Sequence, residues 1–302
     1  MLDKIFKNEK IKHRLCTIAN VITFLIALVA LIAAITSMVV RSSLSEKTMK
    51  DIVATIDVNS EDTTIDEWIY MYFESHYDSE YLIEFMVTQE AVAAVLDNTD
   101  FTAFVADKLI DYSQDILHNT GTGMFSSDEF MDFIEANEMA ISEATGRYYI
   151  PGEFDIMREY FLTMDMFDDI TASAICRKIG IPIEKIRLIA SEKTTTVSFI
   201  IMGIAVALIF ALNYKKIHSA ISRCGAIALT VGGLYILLRY IFTAVCEGVS
   251  HRIGMGASLV NNIASPVTSI IGMHGYILAA IGIVLIFSAI GVEALIRYFS
   301  KD

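Results

Sequence analysis

Arg239 is the one full charge well inside a long apolar stretch of this sequence, and it lies in the stretch 225–245. An ionised group within a membrane is energetically costly, so such residues commonly mark functional sites. Arg239 is also six residues before Val245. From there its long side chain can reach the interface or pair with Glu247 or with the acidic region between the first two stretches. Two roles are therefore open for Arg239, a functional intramembrane charge and an interfacial anchor.

Two of the four cysteines are candidates for a disulfide bond. Under the topology that the charges favour, Cys16 and Cys224 face the cytoplasm and stay reduced, whereas Cys176 and Cys246 lie outside. A disulfide between Cys176 and Cys246 is permitted there. It would tie the region before the second apolar stretch to the end of the third, provided that the two cysteines meet the required geometry.

No pattern of residues predicts catalysis, a metal or a cofactor. The cluster Asp165, Asp168 and Asp169 lacks the EF-hand arrangement of calcium ligands. Cys246, Glu247, His251 and His274 match no structural zinc spacing. P-loop, Gly-x-Ser-x-Gly, His-Glu-x-x-His, Cys-x-x-Cys and dinucleotide-binding motifs are absent. We expect a protein that is not an enzyme, with no catalytic, cofactor-binding or metal-binding residues.

Four apolar stretches predict an all-α membrane protein with four spans. A span needs about 20 apolar residues, and the predicted spans are 17–40, 195–213, 225–245 and 272–296. The first could instead be a signal peptide, with Ala34 to Ser37 as the cleavage region. Its length, 24 residues without a charge, favours an uncleaved span. Gly232 and Gly233 in the third span would permit a kink or a close contact between helices.

Basic residues predict the orientation. Five Lys and Arg lie in the N-terminal segment 1–16, three in the loop 214–224 and two in the tail 297–302. By the positive-inside rule these three segments are cytoplasmic in the cell membrane, and residues 41–194 and 246–271 are extracytoplasmic. The basic residues between 177 and 193 are a counter-signal, but long domains translocate largely regardless of charge.

Residues 41–194 form the acidic part of the chain. They contain 31 of the 36 Asp and Glu but 11 of the 23 Lys and Arg, a net charge of −20. About 150 residues suffice for a domain with its own core. We expect a helical extracytoplasmic domain inserted between spans 1 and 2, whose acidity keeps it soluble or attracts basic ligands. The sequence also lacks Asn-x-Ser/Thr sequons, which fits a bacterial surface domain.

Local signals place several helices in this domain. Thr64 to Glu67 and Ser126 to Glu129 match the capping box that starts a helix, and Gly146 fits the end of the second one. Asp100 to Asn119 has helical apolar spacing. Pro182 suits a first helical turn, and from there to Thr195 nothing breaks helicity. We therefore predict a stalk helix continuous with span 2, with a short kinked loop near Thr194–Thr196 as the alternative.

The segment 246–271 is predicted to be an extracytoplasmic loop. Its larger part, Ile253 to Ile271, belongs to a run without formal charge between Arg252 and Glu293, which is about twice the length of one span. The segment would lie along the interface, or enter the membrane as a re-entrant segment if it is buried in protein.

These features favour a non-enzymatic protein that binds a ligand or partner, or acts as a scaffold, through its acidic domain. The expected partners are membrane lipid and either another protein or further copies of the chain. No basic patch for nucleic acid is present outside the membrane. The alternative is a transport-related protein, either an oligomeric conduit or an accessory permease subunit. One span, a large outer domain and three more spans resemble, in topology and length, the FtsX-like permeases that work with an ATPase.

Overall fold

The chain folds into α-helices throughout the part that the structure describes. This computed structural model describes residues 9–55, 65–76, 88–146, 148, 152–153, 155–156, 158–159, 171–178, 180–253 and 257–299. Across these ranges there is no β-strand beyond an isolated antiparallel bridge, which joins Met124 to Thr171. The all-α prediction is confirmed.

The helices are numbered along the chain. They are α1 (Glu9–Ser43), α2 (Glu46–Ala54), α3 (Ile65–His76), α4 (Gln89–Asn98), α5 (Phe101–His118), α6 (Ser127–Ala136), α7 (Glu138–Thr145), α8 (Ala172–Lys178), α9 (Ile183–Ala190), α10 (Glu192–Leu212), α11 (Ile217–Ile253) and α12 (Ala257–Phe299).

Four of these helices are long and apolar enough to cross a membrane. The qualifying segments are Arg14–Ser43, Glu192–Leu212, Ile217–Gly248 and Val260–Phe299. They overlap all four predicted spans and extend beyond most of them, and their length and composition are those of a membrane protein.

The chain divides into two compact units. One, which we call the bundle, comprises Met1–Arg41, Leu188–Ile241 and Ser269–Asp302. The other, which we call the domain, comprises Ser42–Arg187 and Phe242–Thr268. The chain therefore passes between bundle and domain four times, once for each long helix.

Within the bundle, α1 and α10 pair antiparallel along their length. The amide of Asn213 donates to the side-chain oxygen of Asn20 at 2.7 Å, at one end of the pair. Near the other end, the hydroxyls of Ser37 and Thr195 lie 2.7 Å apart. Residue numbers rise on one helix as they fall on the other, as expected for antiparallel neighbours joined in register.

The bundle core follows from the 3.6-residue helical period. Ala27, Leu31, Ile35 and Val39 recur every four residues on α1 and are buried. Against this stripe pack Ala205 and Ile209 of α10 and Ile227, Val231 and Tyr235 of α11. These side chains lie on one face of each helix, so the helices bury them against one another.

Glycines allow α11 and α12 to approach backbone to backbone. A Cβ added at Gly232 would lie 2.4 Å from the backbone nitrogen of Ala279 and 2.8 Å from the carbonyl oxygen of Gly275. A Cβ at Gly282 would lie 2.6 Å from the backbone nitrogen of Leu229. Gly233 faces open space. The expected close helix contact is therefore present, and Gly232 makes it.

Side-chain caps begin several helices of the domain. Thr88 accepts from the backbone N–H of Ala91 at the start of α4, and Ser45 from that of Thr48 at the start of α2. The predicted capping box of Ser126 is confirmed, because Glu129 reciprocates at the start of α6. The other predicted box begins at Thr64, which lies outside the described residues.

Aromatic side chains join α5 to α6. The rings of Phe104 and Phe133 stack with centroids 4.7 Å apart, and Phe101 meets Phe133 edge to face at 6.0 Å. Met131 of α6 is fully buried. The predicted helix at Asp100–Asn119 is confirmed as α5, which ends at Asn119 in the left-handed conformation.

The helix expected from Ser126 to Gly146 is two helices. Asn137 lies between α6 and α7, and its side chain donates to the carbonyl oxygen of Phe133 at 2.9 Å. Asparagine readily bonds nearby backbone and so interrupts helices. Gly146 ends α7 with a positive φ of 68°, as expected for a C-terminal stop.

The predicted stalk helix is wrong. α9 begins directly after Pro182, as expected, but it ends at Ala190, and α10 begins anew at Glu192. Ser191 between them is extended (φ −66°, ψ 142°), and its hydroxyl accepts from the backbone N–H of Thr194. The serine cap stabilises a new helix start, and this gain competes with helix continuation. The break precedes the Thr194–Thr196 alternative.

The segment 246–271, predicted to be a loop, is helical on both sides of residues 254–256. α11 extends to Ile253, and α12 begins at Ala257 and continues through Pro266. Residues 242–268 belong to the domain. A hydrogen bond of 3.0 Å from the hydroxyl of Thr55 to the carbonyl oxygen of Asn262 joins the two chain segments of the domain.

Candidate functional site

Arg239 lies where α11 and α12 cross, and it touches α12 at two points. One guanidinium nitrogen is 3.5 Å from the hydroxyl of Tyr276. Its stem crosses Gly272 so closely that a Cβ there would lie 2.8 Å from the Cδ of Arg239. Glycine at position 272 therefore makes room for the arginine. Large apolar side chains surround this place and are exposed: Tyr240, Ile241, Met273 and Ile277.

Contacts within the bundle place Arg239 near the end of the bundle at which Arg41 and Glu192 lie. Tyr235, one turn earlier on α11, has its hydroxyl 2.6 Å from that of Thr36 on α1. One turn beyond Thr36, Arg41 forms an ion pair of 2.6 Å with Glu192. Because each turn advances both helices by about 5.4 Å, Arg239 lies close to the level of that exposed ion pair.

Of the two roles open for Arg239, this position favours the interfacial one. Burial of a charge at mid-membrane would demand a compensating partner inside the bundle. The guanidinium instead lies beside the hydroxyl of Tyr276, with its apolar stem packed on α12 at Gly272. Arginine commonly adopts this amphipathic placement near a membrane surface.

Sequence reasoning missed the polar contacts between the bundle helices. Besides the pair of Ser37 and Thr195, the hydroxyl of Tyr235 donates to the carbonyl oxygen of Ile32 at 3.3 Å. Hydroxyl side chains in apolar stretches are a signal for such contacts, since buried polar groups require partners. The choice of partner depends on helix packing, which the one-dimensional pattern does not contain.

Cys176 and Cys246, the candidates for a disulfide, are both free thiols. Cys176 is buried on α8 against Ala172 and Ile183, and burial raises the pKa of its thiol. Cys246 is half-buried on α11. Its packing makes Cys176 part of the core of the domain, and a thiol with a raised pKa stays protonated, and so weakly nucleophilic, near neutral pH. Their pairing stays a prediction.

Several acidic side chains of the domain are engaged in its own structure. Arg158 reaches Asp128, Asp132 and Glu135, which are spaced along α6, at distances of 2.8 to 3.3 Å. Lys108 of α5 is 2.6 Å from Glu129 of α6. Such exposed or half-exposed pairs contribute little stability each. They orient α6 relative to its neighbours and neutralise part of the local charge.

Glu129 combines two of these interactions. Burial alone would raise the pKa of its carboxyl, but hydrogen bonds from Lys108 and from the backbone N–H of Ser126 hold that pKa below its ordinary value. Nearby, burial and the charge of Glu129 raise the pKa of Tyr112 to about 12. Both groups therefore keep one protonation state near neutral pH.

Arg187 ties α9 to the end of α5. Its guanidinium donates to the carbonyl oxygens of Asp115 and Ile116 at 2.9 and 3.2 Å. These carbonyls belong to the last turn of α5, where a positive charge also interacts favourably with the negative end of the helix dipole. The helix that leads towards α10 is thus fastened to the domain.

The domain also exposes large apolar side chains. Met139 of α7, Tyr148 and Ile156 are 79%, 81% and 70% exposed. Single exposed apolar residues are ordinary on a protein surface. Each of the three leaves apolar area on the surface of the domain.

No group of three His, Cys, Asp or Glu side chains within the described ranges is placed to hold a metal ion. The candidate cluster of Asp165, Asp168 and Asp169 lies outside those ranges. Comparisons of the chain with protein-family models, with curated proteins and with solved structures find no match. Function is therefore inferred from the residues and contacts of this chain.

Proposed function

We propose that this protein is a non-enzymatic partner-binding protein of the cell membrane, with the domain outside and both termini in the cytoplasm. The observation that carries the proposal is the connection of the domain to all four long helices, through four passages of the chain. The domain is thereby joined through the chain to every long helix of the bundle, so that a partner bound to the domain can act on all four.

The surface chemistry of the domain supports the same proposal. Residues 41–194 have a net charge of −20, so a basic protein surface is the complementary partner. Electrostatic attraction of this kind steers encounter and selects partners. Exposed apolar side chains such as Met139 supply contact area once the partner has arrived.

Site-specific photo-crosslinking in intact cells tests the proposal. A photoreactive amino acid replaces Met139 in the domain and, as a matched exposed control, Tyr214 in the loop between α10 and α11 (68% exposed). We expect a discrete protein adduct at position 139 that is absent at position 214. No adduct at 139 or at a second domain site, Ile156, would contradict partner binding by the domain.

The same experiment distinguishes the transport-related alternative. An accessory permease subunit would contact its ATPase on the cytoplasmic side, where the charges place the loop 214–224. An adduct confined to position 214 and containing a nucleotide-hydrolysing protein would favour that alternative.

A further inference from the structure

We propose that Arg239 and Tyr276 form a binding site for the headgroup of an anionic phospholipid at the outer crossing of α11 and α12. The ligand class is a glycerophospholipid with net negative charge, whose phosphate contacts the guanidinium and the phenol. This site is separate from the partner surface of the domain and goes beyond the proposed function.

The first support is the geometry of the two polar groups. The guanidinium and the hydroxyl of Tyr276 are 3.5 Å apart on adjacent helices, so one phosphate can touch both. Gly272 lets the arginine stem lie flat across α12. A guanidinium presents its donors in a planar fork that matches phosphate oxygens.

The second support is the depth at which Arg239 would lie in the membrane. Arg239 lies near the level of the exposed Arg41–Glu192 ion pair, at one end of the bundle. The bundle ends just beyond, at Ile241 on α11 and before Ser269 on α12. A charged residue at this level meets headgroups rather than acyl chains.

The third support is the apolar surface below the charge. Met273 and Ile277 on α12 are about half exposed, as is Leu237 on α11. In a membrane these side chains face lipid. They provide a surface for the acyl chains of the same lipid whose headgroup is held at Arg239.

Charge complementarity selects the anionic class. A zwitterionic lipid brings its own cation, which competes with the guanidinium for the phosphate. An anionic headgroup has an uncompensated charge for Arg239 to neutralise. The site therefore predicts a preference for phosphatidylglycerol over phosphatidylcholine.

Native mass spectrometry of the full-length protein in detergent tests the site, with phosphatidylglycerol titrated against phosphatidylcholine. We expect the wild type to bind phosphatidylglycerol more tightly. Arg239→Gln should weaken that binding by about tenfold, and Tyr276→Phe by about threefold, as expected for a charge-assisted and a neutral hydrogen bond. Inorganic phosphate at the same concentration should not displace the lipid.

Arg297→Gln is the matched control, since Arg297 is an exposed arginine at the other end of α12 that pairs with Glu293. It should change the affinity by less than about twofold, as expected for an exposed ion pair. Equal losses in the two arginine variants, equal binding of both lipids, or displacement by phosphate would overturn the proposal. If Arg239→Gln does not fold, Arg239→Lys replaces it. The lysine should still lose about threefold, because it lacks the planar fork.

Discussion

Ser126 and Glu129 show how far local residue chemistry can be read from sequence. The hydroxyl of Ser126 accepts from the backbone N–H of Glu129, and the carboxylate of Glu129 accepts from that of Ser126, at 3.2 and 3.3 Å. All atoms of this capping box lie within four residues. The pattern Ser-Ser-Asp-Glu was therefore sufficient to predict it.

We predict that Ser126→Ala destabilises the domain by about 1 kcal/mol, because a backbone N–H at the start of α6 loses its acceptor. The melting temperature of the domain in the full-length protein should fall by about 2–4 °C, measured by circular dichroism. Ser173→Ala, an exposed serine within α8, is the control and should leave the melting temperature nearly unchanged. Equal effects of both substitutions would contradict the capping role.

Glu129 predicts a pH dependence. Because the folded state lowers the pKa of its carboxyl, the resulting stability is present above the unfolded-state pKa of about 4.3. It is lost as the pH falls through the lower folded-state pKa. The difference in melting temperature between wild type and Glu129→Gln should thus be largest near neutral pH and shrink below about pH 4. A difference that grows on acidification would contradict this sign.

Partners distant in sequence were beyond local prediction. The sequence identified Arg239 as an unusual charge and offered Glu247 as its partner. In the structure Arg239 contacts Gly272 and Tyr276. Tyr276 is 37 residues away in the sequence. That contact depends on the register between α11 and α12, and periodicity within one helix does not determine the register between two.

At the scale of elements, the four long helices were predicted because an apolar run of span length has few alternative structures. Their ends were less predictable. The hydropathy of α11 falls after Val245, but the helix continues to Ile253. A helix can continue beyond the membrane, because only the part within the membrane needs a continuous run of apolar side chains. This explains why 246–271 was predicted as a loop.

The break at Ser191 illustrates the opposite error. From Pro182 to Thr195 no proline or glycine interrupts the chain, which favoured one helix. Ser191 followed by Glu192, Lys193 and Thr194 instead begins α10 with a cap in which Thr194 also donates to the carbonyl oxygen of Leu188 at 2.6 Å. A serine cap breaks a helix without a helix-breaking residue.

The crossing of α11 and α12 predicts a difference between two adjacent glycines. Gly232→Ala puts a methyl group 2.4 Å from the backbone of Ala279, so the helices must separate. We expect a loss of about 1–3 kcal/mol, as for overpacking of a core. Gly233→Ala meets no atom within 4 Å and should retain or slightly raise stability, because alanine favours helix.

Thermal unfolding of the detergent-solubilised variants measures this difference. Gly232→Ala should melt at a lower temperature than the wild type, and Gly233→Ala at the same or a higher one. If both alanines lowered the melting temperature equally, the close approach of α11 and α12 at Gly232 would be wrong.

At the scale of the whole molecule, the sequence predicted one helical bundle and one acidic domain, but it assigned the domain a single chain segment. The structure adds residues 242–268 to it, with Thr55 bonded to the backbone of Asn262. Charge did not reveal this second segment, because it contains only Glu247 and Arg252 as formal charges. Composition shows which residues share a chemistry, whereas membership of a domain depends on which residues contact one another.

The central claim is that the domain lies outside the membrane and the loop between α10 and α11 lies inside the cell. Its most direct test is labelling of Met139→Cys and Tyr214→Cys in intact cells with a membrane-impermeant maleimide, with the four native cysteines replaced by serine or alanine. Both positions are highly exposed, so access is set by the membrane. The account predicts that Cys introduced at position 139 is labelled and that at position 214 is labelled only after the cells are lysed. Labelling at 214 but not at 139 in intact cells would contradict it.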